Sequence, residues 1–227
     1  MLQWMAAALL IAAATPAAQA ETKPLETALE AAMSGLFVVV PTDPATGASM
    51  MARLPAEGGK PEREVVVAFL DAGDAAAMVA AAGMGDKVEG RLFNAADLLA
   101  IAEGEVIWRT SAENASLVNG GPTYPPAFYI TNPAGEPLSQ MVEGKSQTVF
   151  YVDALAADSA RVATQNNLSA AGQPMELKVI AADLNSVIEG VRAGEAKDVY
   201  FASSPTVIIW AAQWDQGKRL IRDYTAK

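Results

Sequence analysis

The chain repeats itself, and an internal duplication constrains its fold more than any other feature. The stretch from Leu36 to Ala102 and the stretch from Pro126 to Glu189 carry the same parts in the same order. Each opens on an apolar run, Leu36-Phe37-Val38-Val39-Val40 and Ala127-Phe128-Tyr129-Ile130. Each run closes on turn residues, Asp43-Pro44-Ala45-Thr46-Gly47 and Asn132-Pro133-Ala134-Gly135. A second apolar run then ends in aspartate, at Asp71 after Val65–Leu70 and at Asp153 after Thr148–Val152. An Ala-rich stretch, an alternating segment and a matching tripeptide follow, Ala96-Asp97-Leu98 and Ala182-Asp183-Leu184.

Each part has a structural reading. The β-branched and aromatic runs read as buried strands bounded by turns. Asp71 and Asp153 stand where a side chain caps a helix start, Asp74 falls in the first turn, where the helix dipole favours a negative charge, and Asp158 is read with Asp153 at its helix start. The first helix carries Ala75, Met78, Val79 and Ala82 on one face and ends at Gly83 and Gly85; the second spans Ala154 to about Ser169. Val88, Gly90 and Leu92 form an alternating strand, answered by Met175–Val179. Asn94 caps the next helix, with Leu98, Leu99 and Ile101; its counterpart carries Leu184, Val187, Ile188 and Val191. Val106–Trp108 and Val199–Phe201 close the copies. A strand, a helix and a strand in so short a unit favour a parallel crossover. Met50–Leu54 adds a strand or a flap, and Pro24–Met33 is a short amphipathic helix whose end is assigned to a left-handed Gly35.

The expected fold is therefore α+β: two pseudo-symmetric repeats, each a mixed β-sheet with helices packed on it. Residues 1–20 read as a signal peptide, 21–108 as the first repeat with its N-terminal helix, and 109–125 as a linker. Residues 126–204 form the second repeat and 205–227 an unrepeated C-terminal tail. The leader has an apolar run from Met5 to Ala14 and a small-x-small site at Ala18-Gln19-Ala20, too short a run for a membrane span. Cleavage after Ala20 and export follow as expectations. A chain of roughly 200 residues buries about 70% of its unfolded surface and needs no disulfides to be stable.

Composition excludes more chemistry than it suggests. The chain has no His and no Cys, which removes the Ser-His-Asp triad, the Cys nucleophile and every imidazole or thiolate metal site. A metal would need oxygen ligands alone, and no Asp-x-Asp-x-Asp-Gly calcium loop is present. Gly83-Met84-Gly85 follows a helix where a dinucleotide fingerprint precedes one. The expectation is a protein that is not an enzyme and holds no cofactor. A net charge of −10 disfavours nucleic acid as a partner, while peripheral contact with a membrane stays open. The candidate partner surface is the tail. Trp210 and Trp214 share a helical face, and Arg219 and Arg222 rim it with positive charge, whereas the plainer reading packs the tail into the core.

The paired openings Phe37-Val38-Val39-Val40 and Phe128-Tyr129-Ile130-Thr131, their Asp/Asn-Pro turns, the runs ending at Asp71 and Asp153, and the closing Val199-Tyr200-Phe201 resemble the Tic twenty-two family of the chloroplast translocon and its bacterial periplasmic relatives. The resemblance spans nearly the whole mature chain. It implies a two-lobed fold with apolar grooves and a place in the periplasm, reached through the cleaved signal. It also implies a chaperone or adaptor that binds extended polypeptide clients or the assembly proteins of outer-membrane barrels. The alternative, from another class, is a periplasmic carrier or sensor holding a small ligand between the copies.

Overall fold

The computed structural model describes residues 27–56, 61–84, 87–102, 105–117 and 125–214. The expected signal peptide and the expected helix stop at Gly85 lie outside them. The first copy follows helix α1 (Thr27–Met33). It runs β1 (Phe37–Thr42), β2 (Met51–Leu54), β3 (Arg63–Phe69), α2 (Ala72–Ala81), β4 (Glu89–Asn94), α3 (Ala95–Ile101), β5 (Val106–Arg109) and α4 (Ala112–Ser116). The second runs β6 (Pro126–Thr131), β7 (Ser139–Val142), β8 (Lys145–Tyr151), α5 (Ala154–Ala170), β9 (Lys178–Asp183), α6 (Leu184–Arg192), β10 (Val199–Ala202) and α7 (Pro205–Trp214).

The duplication holds down to the hydrogen-bond register. The first sheet is ordered β2-β3-β1-β4 with β5 on β3; the second, in reverse listing, is β9-β6-β8-β10 with β7 on β8. β1 pairs antiparallel with β4 from Phe37↔Asn94 to Thr42↔Glu89, and β6 with β9 from Pro126↔Asp183 to Thr131↔Lys178. β5 joins β3 in parallel, as β10 joins β8. The expected crossovers are present, with β3 and β4 parallel across the intervening β1. The opening turns also match: Asp43 Oδ1 accepts from Ala45 N and Asn132 Oδ1 from Ala134 N, with Gly47 and Gly135 both at left-handed φ. The architecture is α+β, two predominantly antiparallel sheets with helices packed on them.

Strand periodicity explains the continuous apolar runs, because both faces of the first sheet are covered. Val38, Val40, Val66, Ala68 and Leu70 enter a core shared by the two copies. That core also takes Ala127, Phe150, Val152, Val199 and Phe201 from the second sheet, and apolar residues of α1, α3 and α6. Val39, Val67 and Phe69, on the opposite face, pack with Ala75 and Val79 of α2 and with Val207 and Trp210 of α7. A side-chain period of two sends alternate residues to different cores.

The two copies exchange their ends. α1 precedes the first sheet yet packs against β10 and α6 of the second. α7 follows the second sheet yet packs on α2 and β1 of the first. Polar joints fix both crossings. Ser203 Oγ accepts from Phe37 N (2.6 Å) and lies 2.8 Å from Gly35 O, to which it donates. Thr206 Oγ1 and Ser204 Oγ donate to Asp71 Oδ2 at the head of α2. In the pseudo-equivalent joint, Asn114 of α4 donates to Val152 O and accepts from Ala154 N at the head of α5.

Four sequence expectations change. The segment read as a linker contains α4, and α4 occupies the place after β5 that α7 occupies after β10, so the start of the tail is a repeated element. The strand expected at Met175–Val179 runs instead from Lys178 to Asp183, since Leu177 N is taken by Gln165 Oε1 (3.1 Å) and not by a neighbouring strand. Gly35 is not left-handed. A Cβ there would collide with the Tyr200 hydroxyl, so Gly35 serves the close approach of β10. Trp210, named as a candidate partner residue, is 3% exposed and belongs to the core, as the plainer reading of the tail has it, because α7 turns it onto the first sheet.

Candidate functional site

The strand-terminal aspartates act as helix caps. Asp71 Oδ1 accepts from Asp74 N (3.0 Å) and Asp153 Oδ1 from Ala156 N (2.8 Å). The second cap of each copy is matched in the same way. Asn94 Oδ1 accepts from Ala96 N at the head of α3, as Asp183 Oδ1 accepts from Asn185 N at the head of α6. Asp74 has its carboxyl pushed above the usual range, first by burial and then by the negative charge of Asp71. Its Oδ2 is buried without a hydrogen-bond partner among the described residues. Among those residues no group of three or more acids stands close enough to hold a metal ion, and no helix is long and apolar enough to cross a membrane.

The copies differ in how completely they are covered. On the first sheet, α2 buries Ala75, Ala76 and Val79, and α7 adds Val207 and Trp210 beside them. On the second, α5 is longer but buries only Ala157. Its partner α4 is a single short element that ends before an exposed Leu117. Leu155 (69% exposed) and Val162 (41%) stand about two turns apart on one face of α5. Met141 of β7, Met175 and Ile180 of β9 are also exposed in this copy. Scattered apolar residues are ordinary on a surface. Counted from the aligned caps Asp71 and Asp153, however, Leu155 and Val162 stand where α2 has Gly73 and Ala80, so on this exposed helical face the second copy carries large apolar side chains and the first does not; on the first sheet's side the exposed apolar pair is Ile208 and Ile209 of α7.

A separate pocket of about 460 Å³ opens where α1 meets the second sheet. Ala28, Ala31, Val191 and Val199 give it apolar walls, and Lys145, Lys197 and Asp198 are the charged residues of its lining. No ion pair of either lysine occurs among the described residues. Nearby, Tyr200 has its phenol pushed up by burial and then by the negative charge of Glu143.

Of the candidate partner residues, Trp210 is in the core; the side chain of Trp214, and Arg219 and Arg222 altogether, lie outside the described residues. Its burial takes Trp210 out of the surface expected of the tail. Sequence reasoning missed Leu155, Val162 and Ile180. Helical periodicity marks Leu155 and Val162 as sharing a face but cannot say that nothing is packed against it.

No protein-family model matches the chain, and no curated protein matches it by sequence. Its structure is similar to two solved ones. Tic22 of Anabaena, described as a protein of protein transport, superposes with a TM-score of 0.59 at 8% identity, covering 84% of this chain and 98% of that one. Tic22 of Plasmodium falciparum superposes at 0.57 with 15% identity, covering 84% and 98%. At these identities the likeness is one of fold: the chain has a Tic22-like fold.

Proposed function

We propose that this protein serves protein transport as a non-enzymatic periplasmic chaperone or adaptor, holding extended apolar polypeptide on the outer surface of its second copy. One observation carries the reading. α5 exposes Leu155 and Val162 on one face, where the equivalent exposed positions of α2 are Gly73 and Ala80. An exposed helical face with large apolar side chains is a seat that an apolar segment can cover, whereas one of Gly and Ala offers little to bury. The transport description of the Anabaena structure supports the same class of role. The apolar leader from Met5 to Ala14 and the site at Ala18-Gln19-Ala20 support export to the periplasm, where precursors of outer-membrane barrels are natural clients.

The test is suppression of aggregation when a urea-denatured outer-membrane β-barrel protein is diluted into buffer with the purified protein, read by light scattering. The double variant L155K/V162K loses the protection, while Ile101→Lys, which charges an exposed apolar site on the first copy, keeps it. Equal protection by all three proteins counts against this surface, and no protection by the wild type counts against the chaperone reading.

The pocket beside α1 favours a second reading, a carrier for a small anionic amphiphile, because two lysines against the one acid Asp198 line it beside apolar walls. Saturable binding of a fatty acid, lost in K145A/K197A, would establish it.

A further inference from the structure

The polypeptide site proposed above has a backbone component that side chains alone do not show. β9 is an edge strand, joined to β6 on one side only. Its register fixes which of its amides point outward. Ile130 O accepts from Leu138 N, toward the β7 hairpin, so the Ile130 backbone faces away from β9. Pro125 O accepts from Leu184 N, toward β9 and α6, which places the alternate residues of β6 on the other side. Ile130 and Phe128 pair with Val179 and Ala181. In an antiparallel ladder both members of such a pair turn their N–H and C=O away from each other. Val179 and Ala181 therefore direct their N–H and C=O to the outer edge, with no hydrogen-bond partner there among the described residues.

The sister edge is guarded and this one is not. β4, in the equivalent position, carries the ion pair Arg91 Nε–Glu89 Oε1 (2.8 Å), and its last residue Asn94 donates to Met33 O and Ser34 O. Charges along an edge oppose the addition of another strand. β9 has its charges only at its ends, Lys178 and the α6 cap Asp183, with the uncharged run Val179-Ile180-Ala181-Ala182 between them and Ile180 39% exposed. Nothing along that run opposes pairing.

We infer that the outer edge of β9 is a strand-addition site for an extended client segment, uncharged or basic, which pairs through the backbone of Val179 and Ala181 and covers Ile180. This inference rests on the chaperone reading and gives it a place. Donors and acceptors repeating every second residue are matched only by another extended backbone. A client is favoured over a second molecule of this chain because each molecule carries a net charge of −10, which opposes self-pairing.

The experiment is hydrogen–deuterium exchange of the full chain with a synthetic peptide alternating Val and Thr and flanked by Lys. The peptide slows exchange of the Val179 and Ala181 amides at least tenfold, and N-methylating its alternate amides abolishes the effect. Ile180→Lys, at an exposed position the fold tolerates, weakens peptide binding at least fivefold. Peptide that binds while these amides exchange unchanged overturns the β9 site and leaves the chaperone reading standing. Absence of any peptide binding removes the site, and the aggregation assay then decides the chaperone reading separately. Protection that grows with protein concentration alone assigns the edge to a second molecule, and protection already present in dilute protein assigns it to this chain's own tail. Either outcome overturns the client.

Discussion

Replacing Trp210 by Ala separates a core residue from a partner contact. The indole is 3% exposed and stands among Val39, Met50, Val67, Phe69, Ala75, Val79, Val88 and Val207. Removing a buried aromatic from such a cluster loses its transfer free energy and leaves a cavity, at a combined cost of about 3–5 kcal/mol. For a chain of this size each kcal/mol lowers Tm by about 2–4 °C, so Trp210→Ala is expected to lower it by about 6–20 °C. The assay is thermal unfolding followed by circular dichroism, with Ile208→Ala and Ile209→Ala as controls on the same helix. Those side chains are 55% and 58% exposed, and their removal is expected to change stability by less than about 1 kcal/mol. A Tm for Trp210→Ala within about 2 °C of wild type would refute the packing of α7 on the first sheet.

Gly35→Ala places a Cβ where the Tyr200 hydroxyl stands, and overpacking of this kind costs about 1–3 kcal/mol; Gly35→Ala in a Tyr200→Ala background recovers part of that loss in a denaturation cycle. Asp153→Ala removes one cap bond and is expected to cost about 1 kcal/mol, whereas Asp71→Ala also releases Thr206 and Ser204 and costs more; equal losses in urea titrations contradict the joint between copies. The folded protein binds the Asp74 proton more tightly than the unfolded chain does. Its contribution to stability is therefore full below the ordinary carboxylate pKa of 3.8 and is lost as pH rises through the raised folded value. Asp74→Asn is expected to flatten that part of the stability–pH curve and to raise stability at neutral pH, and an unchanged slope contradicts the assignment.

The sequence was most legible where a local rule and the duplication pointed the same way. Asp71, Asn94 and Asp153 were readable as caps because a short polar side chain before an apolar period has one economical use; Asp183, paired in sequence with Asp97, is instead the equivalent of the cap Asn94. The strand runs were readable because β1 and β3 are buried on both faces, so their apolar residues are unbroken. What could not be read is long-range. Gly35 carries an ordinary helix-stop signal, and only the tertiary structure brings Tyr200 against it. Trp210 and its neighbours look the same in sequence whether α7 covers a sheet or a partner, and the crossing of α7 to the first copy decides it. The same blindness hid the open face of α5. Periodicity groups Leu155 with Val162, and only the packing of α5, which buries Ala157, shows that both are left outside.

The central claim is that extended polypeptide is held on the second copy and not on the first. A photoreactive amino acid placed at position 155, and separately at position 101, with a denatured outer-membrane β-barrel precursor as the defined client, tests it most directly. The account predicts a crosslink to the precursor from position 155 that unlabelled precursor competes away, and none from position 101. Crosslinking of equal yield from both positions, or from position 101 alone, would contradict it.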